Sequence, residues 1–351
     1  MMNTTLDDAY KLGCGRLLFE HGALNKLGNE ALRLGQRAYI LGGPNAMAHM
    51  QETLLGTLQA SGVDPFVDVY AGACSEEKAE DIARLCHAQE RELIIGVGGG
   101  RIMDLAKTAA AVSGLPVIAV PTISATCAAF TPLSVIYTPQ GACRGTWYFH
   151  REVDCLLCDL DVLCRQNTRF LAAGMLDAIA KHVEISHHET IQGEVGQDVL
   201  LARHLAKTIY DDMMLLGPNA LQRENRAMER CIFHAIITTG LVSGIARGRY
   251  QSALAHALYE AIRTCYTAES RPFLHGEVVA VGLLVQSRYL HRADMEDELL
   301  RLMNLAGMPT TLESIGVTGD RAALALHEPV PKFFLHGEHD APEMIRLIRS
   351  T

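Results

Sequence analysis

The stretch LIIGVGGGRIMDLAK, Leu93 to Lys107, sets a buried-strand run directly before three consecutive glycines, Gly98 to Gly100, and a helical pattern directly after them. Glycines at a strand-to-helix turn let the backbone approach a ligand closely. The first helical turn then offers unpaired N–H groups and a positive dipole end to a phosphate. The turn is therefore a candidate pyrophosphate cradle. It departs from the GxGxxG fingerprint, because Arg101 stands where the last glycine would fall, and it is not a Walker loop. A glycine turn needed only for tight packing is the competing reading.

On either side of this turn the same alternation repeats. RAYILGG at 37–43 precedes the helical pattern MAHMQETLLGTLQASG, PFVDVYAG at 65–72 precedes EEKAEDIARLCHAQE, and the helix of the glycine turn precedes LPVIAVPT at 115–122. Strand, helix and strand in repetition predict a parallel sheet with helices on both faces, whose ligands bind at the carboxyl ends of the strands. The run AVPTISATCAAFTPLSVIYT, 119–138, reads as a hydroxyl-rich loop at the same sheet edge. A phosphate cradle beside such a loop suits a dinucleotide better than a lone phosphate.

From about Thr168 long helical periodicities take over, in FLAAGMLDAIAKHVEISHH, QDVLLARHLAKTIYDDMMLL, RENRAMERCIFHAIITTGLVSG and EDELLRLMNLAG. The composition shift near CRQNTRF predicts two domains packed around a cleft, 1–164 a nucleotide-binding α/β domain and 165–351 an all-helical domain.

With 351 residues, 49% hydrophobic and 20% charged, the chain has the makings of a globular protein with a substantial core. Its formal net charge of -9 argues against nucleic acid and anionic membrane as partners, and points to a small-molecule substrate. MMNTTLDDAY lacks the basic start and apolar run of a secretory signal, and LPVIAVPTISATCAAF is broken by Pro121 and hydroxyls, so no membrane span is expected. Ten cysteines without a signal suggest reduced thiols in a cytoplasm. Cys155 and Cys158 have CxxC spacing within VDCLLCDLDVL, which reads as a buried strand; with no second pair a zinc or redox role is disfavoured.

Three segments of the helical half each offer one metal ligand: Asp177 in AAGMLDAIAKHVE, His256 in SALAHALYEAI and His275 in RPFLHGEVVAVG. Brought together they would make a three-ligand cation site with an open position for substrate, the arrangement of a catalytic metal. A lone histidine on an apolar helix is otherwise a satisfied core residue. His182, His187 and His188 read as surface residues.

Taken together, GVGGGRIMDLAK, PTISATCAAFTPLSVIYT, LAAGMLDAIAKHVE, ALAHAL and FLHGEVVAVG, in this order over nearly the whole chain, resemble the iron-type and glycerol-dehydrogenase-like alcohol dehydrogenase superfamily. The resemblance implies an α/β plus all-α architecture of the dehydroquinate synthase-like fold, with an N-terminal parallel-sheet nucleotide-binding domain and a C-terminal helical metal-binding domain. It also implies hydride transfer between a nicotinamide cofactor and a CH–OH group, and a homo-oligomer. It assigns Asp177, His256 and His275 to the metal. Gly99, Gly100, Arg101 and Asp104 go to the pyrophosphate turn, and Thr122, Thr131, Leu133 and Tyr137 to the nicotinamide side. The iron-dependent branch carries a further histidine ligand where this chain has Lys181, which favours the three-ligand branch and zinc, with Fe2+, Mn2+ or Ni2+ as alternatives. Dehydroquinate synthase, a lyase of the same fold, uses glutamate as its first ligand, and Asp177 speaks against it.

Two departures bear on specificity. Glycerol dehydrogenases carry an aspartate in the hydroxyl-rich loop where this chain has Cys127, which removes a polyol anchor and a source of repulsion against acids. ATCAAFTPLSV is similar to hydroxycarboxylate dehydrogenases, so a 2-hydroxy acid/2-oxo acid pair is the expected substrate and glycerol or another polyol the alternative. Arg247 and Arg249 are candidates to clamp such a carboxylate, with solvated surface arginines as the competing reading. Where NAD-specific relatives place an acid after the first strand, this chain has Gly42 or Gly43, so NADP is expected alongside or ahead of NAD.

Overall fold

The structure, a computed structural model, describes residues 9–138, 142–192, 196–247, 252–335 and 337–351. It divides into two compact units, Met1–Gln166 and Asn167–Thr351.

The first unit runs β1 (Leu17–Glu20), α1 (Leu27–Leu32), β2 (Arg37–Gly42), α2 (Pro44–Ala60), β3 (Asp64–Val69), α3 (Glu76–Ala88), β4 (Leu93–Gly98), α4 (Gly100–Ser113) and β5 (Val117–Pro121). It continues with β6 (Leu133–Tyr137), β7 (Cys143–Tyr148), β8 (Cys155–Asp159) and α5 (Leu160–Leu163). Six strands form one parallel sheet in the order β1-β8-β5-β4-β2-β3. Both β4 and β8 are buried along their whole length, as a sheet covered on both faces requires. One face packs Ile40, Ile95 and Ile118 against Leu27 of α1 and Met47, Leu54 and Leu58 of α2. Gly96 sets the approach of α4, because a Cβ there would lie 2.6 Å from the Ala106 Cβ.

The chain leaves β2 for β3 on one side and returns to β4 on the other side of β2, so the connections diverge between β2 and β4. Open parallel sheets bind ligands in the crevice at the carboxyl ends of two such strands. The glycine turn after β4 and Gly43 after β2 both stand there, joined by a hydrogen bond from the Gly43 N–H to the Val97 carbonyl, 2.9 Å.

The segment read as a hydroxyl-rich loop is only partly loop. Leu133–Tyr137 pairs antiparallel with β7 as a separate two-stranded sheet, and its residues alternate between half-buried and buried. Cys155 and Cys158 lie on β8 three residues apart and so face opposite sides of the sheet. Burial pushes Cys155 up to about 12 and Cys158 higher still, leaving both thiols protonated.

The second unit contains α6 (Thr168–Gln192), α7 (Gln197–Leu221), α8 (Asn225–Phe233), α9 (Thr239–Ala246), α10 (Leu254–Cys265), α11 (Thr267–Ser270), α12 (His275–Tyr289), α13 (Ala293–Ala306), α14 (Ala322–Ala325) and α15 (Ala341–Ser350). The pattern read through RENRAMERCIFHAIITTGLVSG is interrupted by a π turn at His234–Thr238, where His234 bonds Asp212 at 2.8 Å and Thr238 at 3.0 Å. Among the described residues no helix is long and apolar enough to cross a membrane.

Two glycines of α12 fix its approach to its neighbours. A Cβ on Gly276 would overlap the Ala173 carbonyl of α6, and one on Gly282 would lie 2.8 Å from the Ala255 carbonyl oxygen of α10. A bidentate ion pair from Arg169, in the first turn of α6, to Glu277 adds a tether at 2.6 and 2.7 Å. Glu277 also accepts from the Leu274 N–H at 2.7 Å, holding the start of α12 just before His275.

Candidate functional site

At the glycine turn, Gly98 has φ 153°, a conformation that favours glycine, and Gly99 is the N-cap of α4 with no side-chain cap. A Cβ on Gly99 would meet the Ile123 side chain at 2.8 Å, and one on Gly100 would meet Thr126 Oγ1 at 2.9 Å. Side chains at either position would press on Ile123 and Thr126 of the loop that follows β5. Arg101 is exposed in the first turn of the helix. Thr122 lies next to this edge, its N–H donating to the Gly98 carbonyl at 3.0 Å.

Asp104, three residues after Arg101, is buried against the residues of β6. Its carboxylate sits 3.2 Å from the Lys107 ammonium and accepts from the Val135 N–H at 3.4 Å, while its carbonyl accepts from the Ser134 hydroxyl at 3.0 Å. Burial raises its pKa despite Lys107. These contacts tie α4 to the hairpin of β6 and β7. Lys107, which sequence reading passes over, donates to the carbonyls of Thr131, at 2.9 Å, and Leu133. The helix that begins at the glycine turn thus positions Thr131 and Leu133. Tyr137, at the end of β6, is held through its N–H to the Cys74 carbonyl, 2.8 Å. Ser124 is pinned by Gln166, whose amide oxygen accepts from its N–H at 2.8 Å.

In the second unit the three ligand candidates converge. One ligand atom from each of Asp177, His256 and His275 lies within 4.8 Å of the others, and this is the one such cluster among the described residues. Asp177 Oδ1 is 3.2 Å from His275 Nε2 and 3.6 Å from His256 Nε2. Asp177 is buried in the middle of α6, His256 opens α10 and His275 opens α12. The His275 side chain keeps 29% exposure, the most open of the three. Tyr259 sets its ring edge-on to it, 4.3 Å between centroids.

Glu184 is the member of this constellation that sequence reading misses. It lies seven residues after Asp177, two turns along the same face of α6, and is fully buried. Its Oε2 is 2.5 Å from His256 Nδ1, and its Oε1 accepts from the N–H groups of Ala253, at 2.7 Å, and His256, at 2.9 Å.

Burial works to raise Asp177, but the His275 ring, hydrogen bonds from both histidines and the Lys181 charge hold it well below the usual carboxylate range. Burial would lower His256; Glu184 and Asp177 overcome it and push the imidazole up to about 9. Buried anionic oxygens that draw a proton onto a neighbouring imidazole form a cation-seeking cluster. One carboxylate and two imidazoles are a donor set that a divalent transition ion fits, binding with release of that proton.

The remaining expectations divide. Cys127 is partly exposed, and its carbonyl accepts from Phe130, 2.9 Å, and Thr131, 3.2 Å, in the turn ahead of the hairpin. Arg247 caps α9 in a left-handed conformation, φ 53°. Arg249 lies outside the described residues. His187 and His188 are not surface residues: both are buried, their Nε2 atoms meeting the carbonyls of Phe333, 3.0 Å, and Ser252, 2.7 Å. His182 is half-buried against Tyr210, 5.0 Å between rings. Of the two glycines proposed for the ribose position, Gly42 belongs to β2, and a Cβ there would overlap Met47. Gly43 has ordinary extended backbone and its Cβ would meet Ile102 at a normal 3.4 Å.

Comparison with known proteins gives a consistent result. Residues 14–159 match the family model for iron-containing alcohol dehydrogenase. A glycerol dehydrogenase of Thermotoga maritima is 30% identical over 315 residues, covering 87% of this chain and 84% of its own. Hydroxycarboxylate dehydrogenase A of Escherichia coli is 32% identical over 286 residues, covering 80% and 78%. The crystal structure of glycerol dehydrogenase from Schizosaccharomyces pombe superposes with TM-score 0.81 at 24% identity, covering 100% of this chain and 91% of its own. The fold is therefore the dehydroquinate synthase-like one, and the lyase alternative gives way to a dehydrogenase. The chain belongs to the iron-containing alcohol dehydrogenase family, among its glycerol dehydrogenase-like members, and is an NAD(P)-linked oxidoreductase acting on CH–OH groups.

Proposed function

We propose that this enzyme interconverts a short 2-hydroxy acid and its 2-oxo acid, with Asp177, His256 and His275 holding a divalent metal. The observation that carries the metal assignment is the convergence of those three donors within 4.8 Å. Nitrogen and oxygen donors of this kind favour zinc, with Fe2+, Mn2+ and Ni2+ as alternatives. When bound, the ion supplies Lewis acidity at the substrate oxygen.

The chain's own part is binding and orientation. Gly99, Gly100 and the first-turn N–H groups of α4 would take the pyrophosphate, with Arg101 beside them as a counter-charge. Thr122, Thr131, Leu133 and Tyr137 would face the nicotinamide, two of them fixed through Lys107. A nicotinamide held there would supply a hydride acceptor for oxidation of the carbinol, whose hydroxyl proton would go to solvent, and a hydride donor for the reverse. Gly43 places no carboxylate at this position to repel a 2′-phosphate, which supports use of NADP as well as NAD.

Two features support an acid substrate: Cys127, which presents no negative charge in the hydroxyl-rich loop, and the likeness to hydroxycarboxylate dehydrogenase A. Arg247 and Arg249 would hold the carboxylate. The polyol reading has support of its own, since relatives from Thermotoga maritima and Pseudomonas putida are glycerol dehydrogenases. The test is a screen of NADPH and NADH oxidation against 2-oxobutanoate, 2-oxoglutarate, dihydroxyacetone and glyceraldehyde, with metal analysis of the same sample. Faster turnover of the oxo acids supports the acid reading, and dihydroxyacetone as best substrate replaces it with the polyol one. We further propose a homo-oligomer, to be checked by light scattering.

A further inference from the structure

We infer that Glu184 is a positioning residue for the metal site, fixing both the place and the tautomer of His256. The inference rests on the reading of Asp177, His256 and His275 as ligands.

The fully buried carboxylate meets three N–H groups at once: Oε1 takes the Ala253 and His256 backbone N–H, and Oε2 takes His256 Nδ1. An ionised carboxylate has no proton to give, so the imidazole must carry its own on Nδ1. Once the second proton is released on metal binding, the lone pair lies on Nε2, the atom 3.6 Å from Asp177 Oδ1. The same carboxylate clamps the N-terminus of α10 with its other oxygen. One turn further along α6, His188 meets the Ser252 carbonyl at 2.7 Å. The segment 252–256 is therefore held to the Asp177 helix at both ends, and His256 has neither rotational nor tautomeric freedom. Such outer partners of ligating histidines typically contribute about 10–100-fold in metal affinity.

Glu184→Gln separates placement from tautomer. A carboxamide has one accepting oxygen and one donating nitrogen in place of two accepting oxygens. If its oxygen keeps the two backbone N–H groups, its NH2 faces Nδ1 and drives the imidazole proton to Nε2, where it blocks the metal. If the amide flips, it serves Nδ1 and sets its NH2 against two backbone donors. A carboxamide therefore cannot reproduce the arrangement.

The experiment measures zinc affinity of the full chain by chelator competition, with the visible spectrum of the cobalt-loaded protein and far-UV circular dichroism alongside. Glu184→Gln should keep the helical signal, weaken zinc about 10–100-fold and alter the cobalt spectrum. Wild-type affinity and an unchanged cobalt spectrum in that variant would overturn the inference while leaving the ligand set intact. A wild-type chain that binds none of Zn2+, Fe2+, Mn2+ and Ni2+ would overturn the ligand reading and this inference with it. If Glu184→Gln does not fold, Glu184→Asp, which keeps the charge but withdraws both oxygens, takes its place with the same two outcomes.

Discussion

Gly282 of α12 faces Ala255 of α10 so closely that a Cβ added to the glycine would lie 2.8 Å from the Ala255 carbonyl oxygen, one residue before His256. On the other side of α12, Gly276 follows His275 directly and leaves no space for a Cβ against Ala173 of α6, four residues before Asp177. The three ligand candidates sit beside two close approaches of helix backbones, and glycine is what permits them.

Gly276→Ala and Gly282→Ala should therefore spread the ligands. Alanine gains about 0.5–1 kcal/mol of helix propensity, which overpacking of about 1–3 kcal/mol outweighs. The larger loss belongs to Gly276→Ala, whose Cβ would overlap the Ala173 carbonyl, whereas one on Gly282 would stop 2.8 Å from the Ala255 carbonyl oxygen. Urea midpoints check the stability, and zinc titration of each variant checks that the affinity falls with it.

Gly43→Asp should move cofactor preference from NADPH toward NADH. The backbone there is ordinary, the Cβ has room, and aspartate is a good N-cap for α2, so folding is spared. A carboxylate beside a 2′-phosphate at this partly exposed position should cost about 1.5–3 kcal/mol, so the NADPH to NADH ratio of kcat/KM should fall about 10–100-fold. Steady-state kinetics with both cofactors decide it.

Acid should destabilise the fold through two histidines. Burial pushes His182 and His187 down to about 4. The unfolded chain binds their protons near pH 6.5, so between about pH 6.5 and about pH 4 it is the stronger proton binder and stability falls with pH. The loss is up to about 3 kcal/mol for enclosed His187 and smaller for half-buried His182. His256 works the other way: raised to about 9, its contribution is complete below pH 6.5 and lost only as the pH climbs through 9. Urea midpoints between neutral pH and pH 5 should decline for the wild type and decline less steeply for His187→Gln.

The legible parts of this molecule are those with local signals. The glycine turn, the alternating strands and helices around it, and the family motifs holding Asp177, His256 and His275 can all be read within a few residues. Glu184 is the opposite case. It lies in plain view seven residues after Asp177, yet its function depends on a partner 72 residues away in the chain. His187 and His188 read as surface for the same reason, since the carbonyls that shelter them belong to distant segments. In β6, serine and tyrosine disguise a strand as loop, although the period-two alternation of Leu133–Tyr137 is present. The tie from Asp104 to the hairpin is hidden in the same way, since Ser134 and Val135 come 30 and 31 residues later in the chain.

The ligand set itself is tested most directly by removing the metal and one ligand. The enzyme is stripped with a chelator, Zn2+ is added back, and NADPH-linked reduction of a 2-oxo acid is followed in the wild type and in Asp177→Ala. Stripping should abolish turnover and about one zinc per chain should restore it. Asp177→Ala should keep its fold but neither retain zinc nor recover, losing at least about 10^3-fold in kcat/KM for several kcal/mol of lost transition-state stabilisation. Full turnover in the stripped wild type, or in Asp177→Ala, would contradict the account.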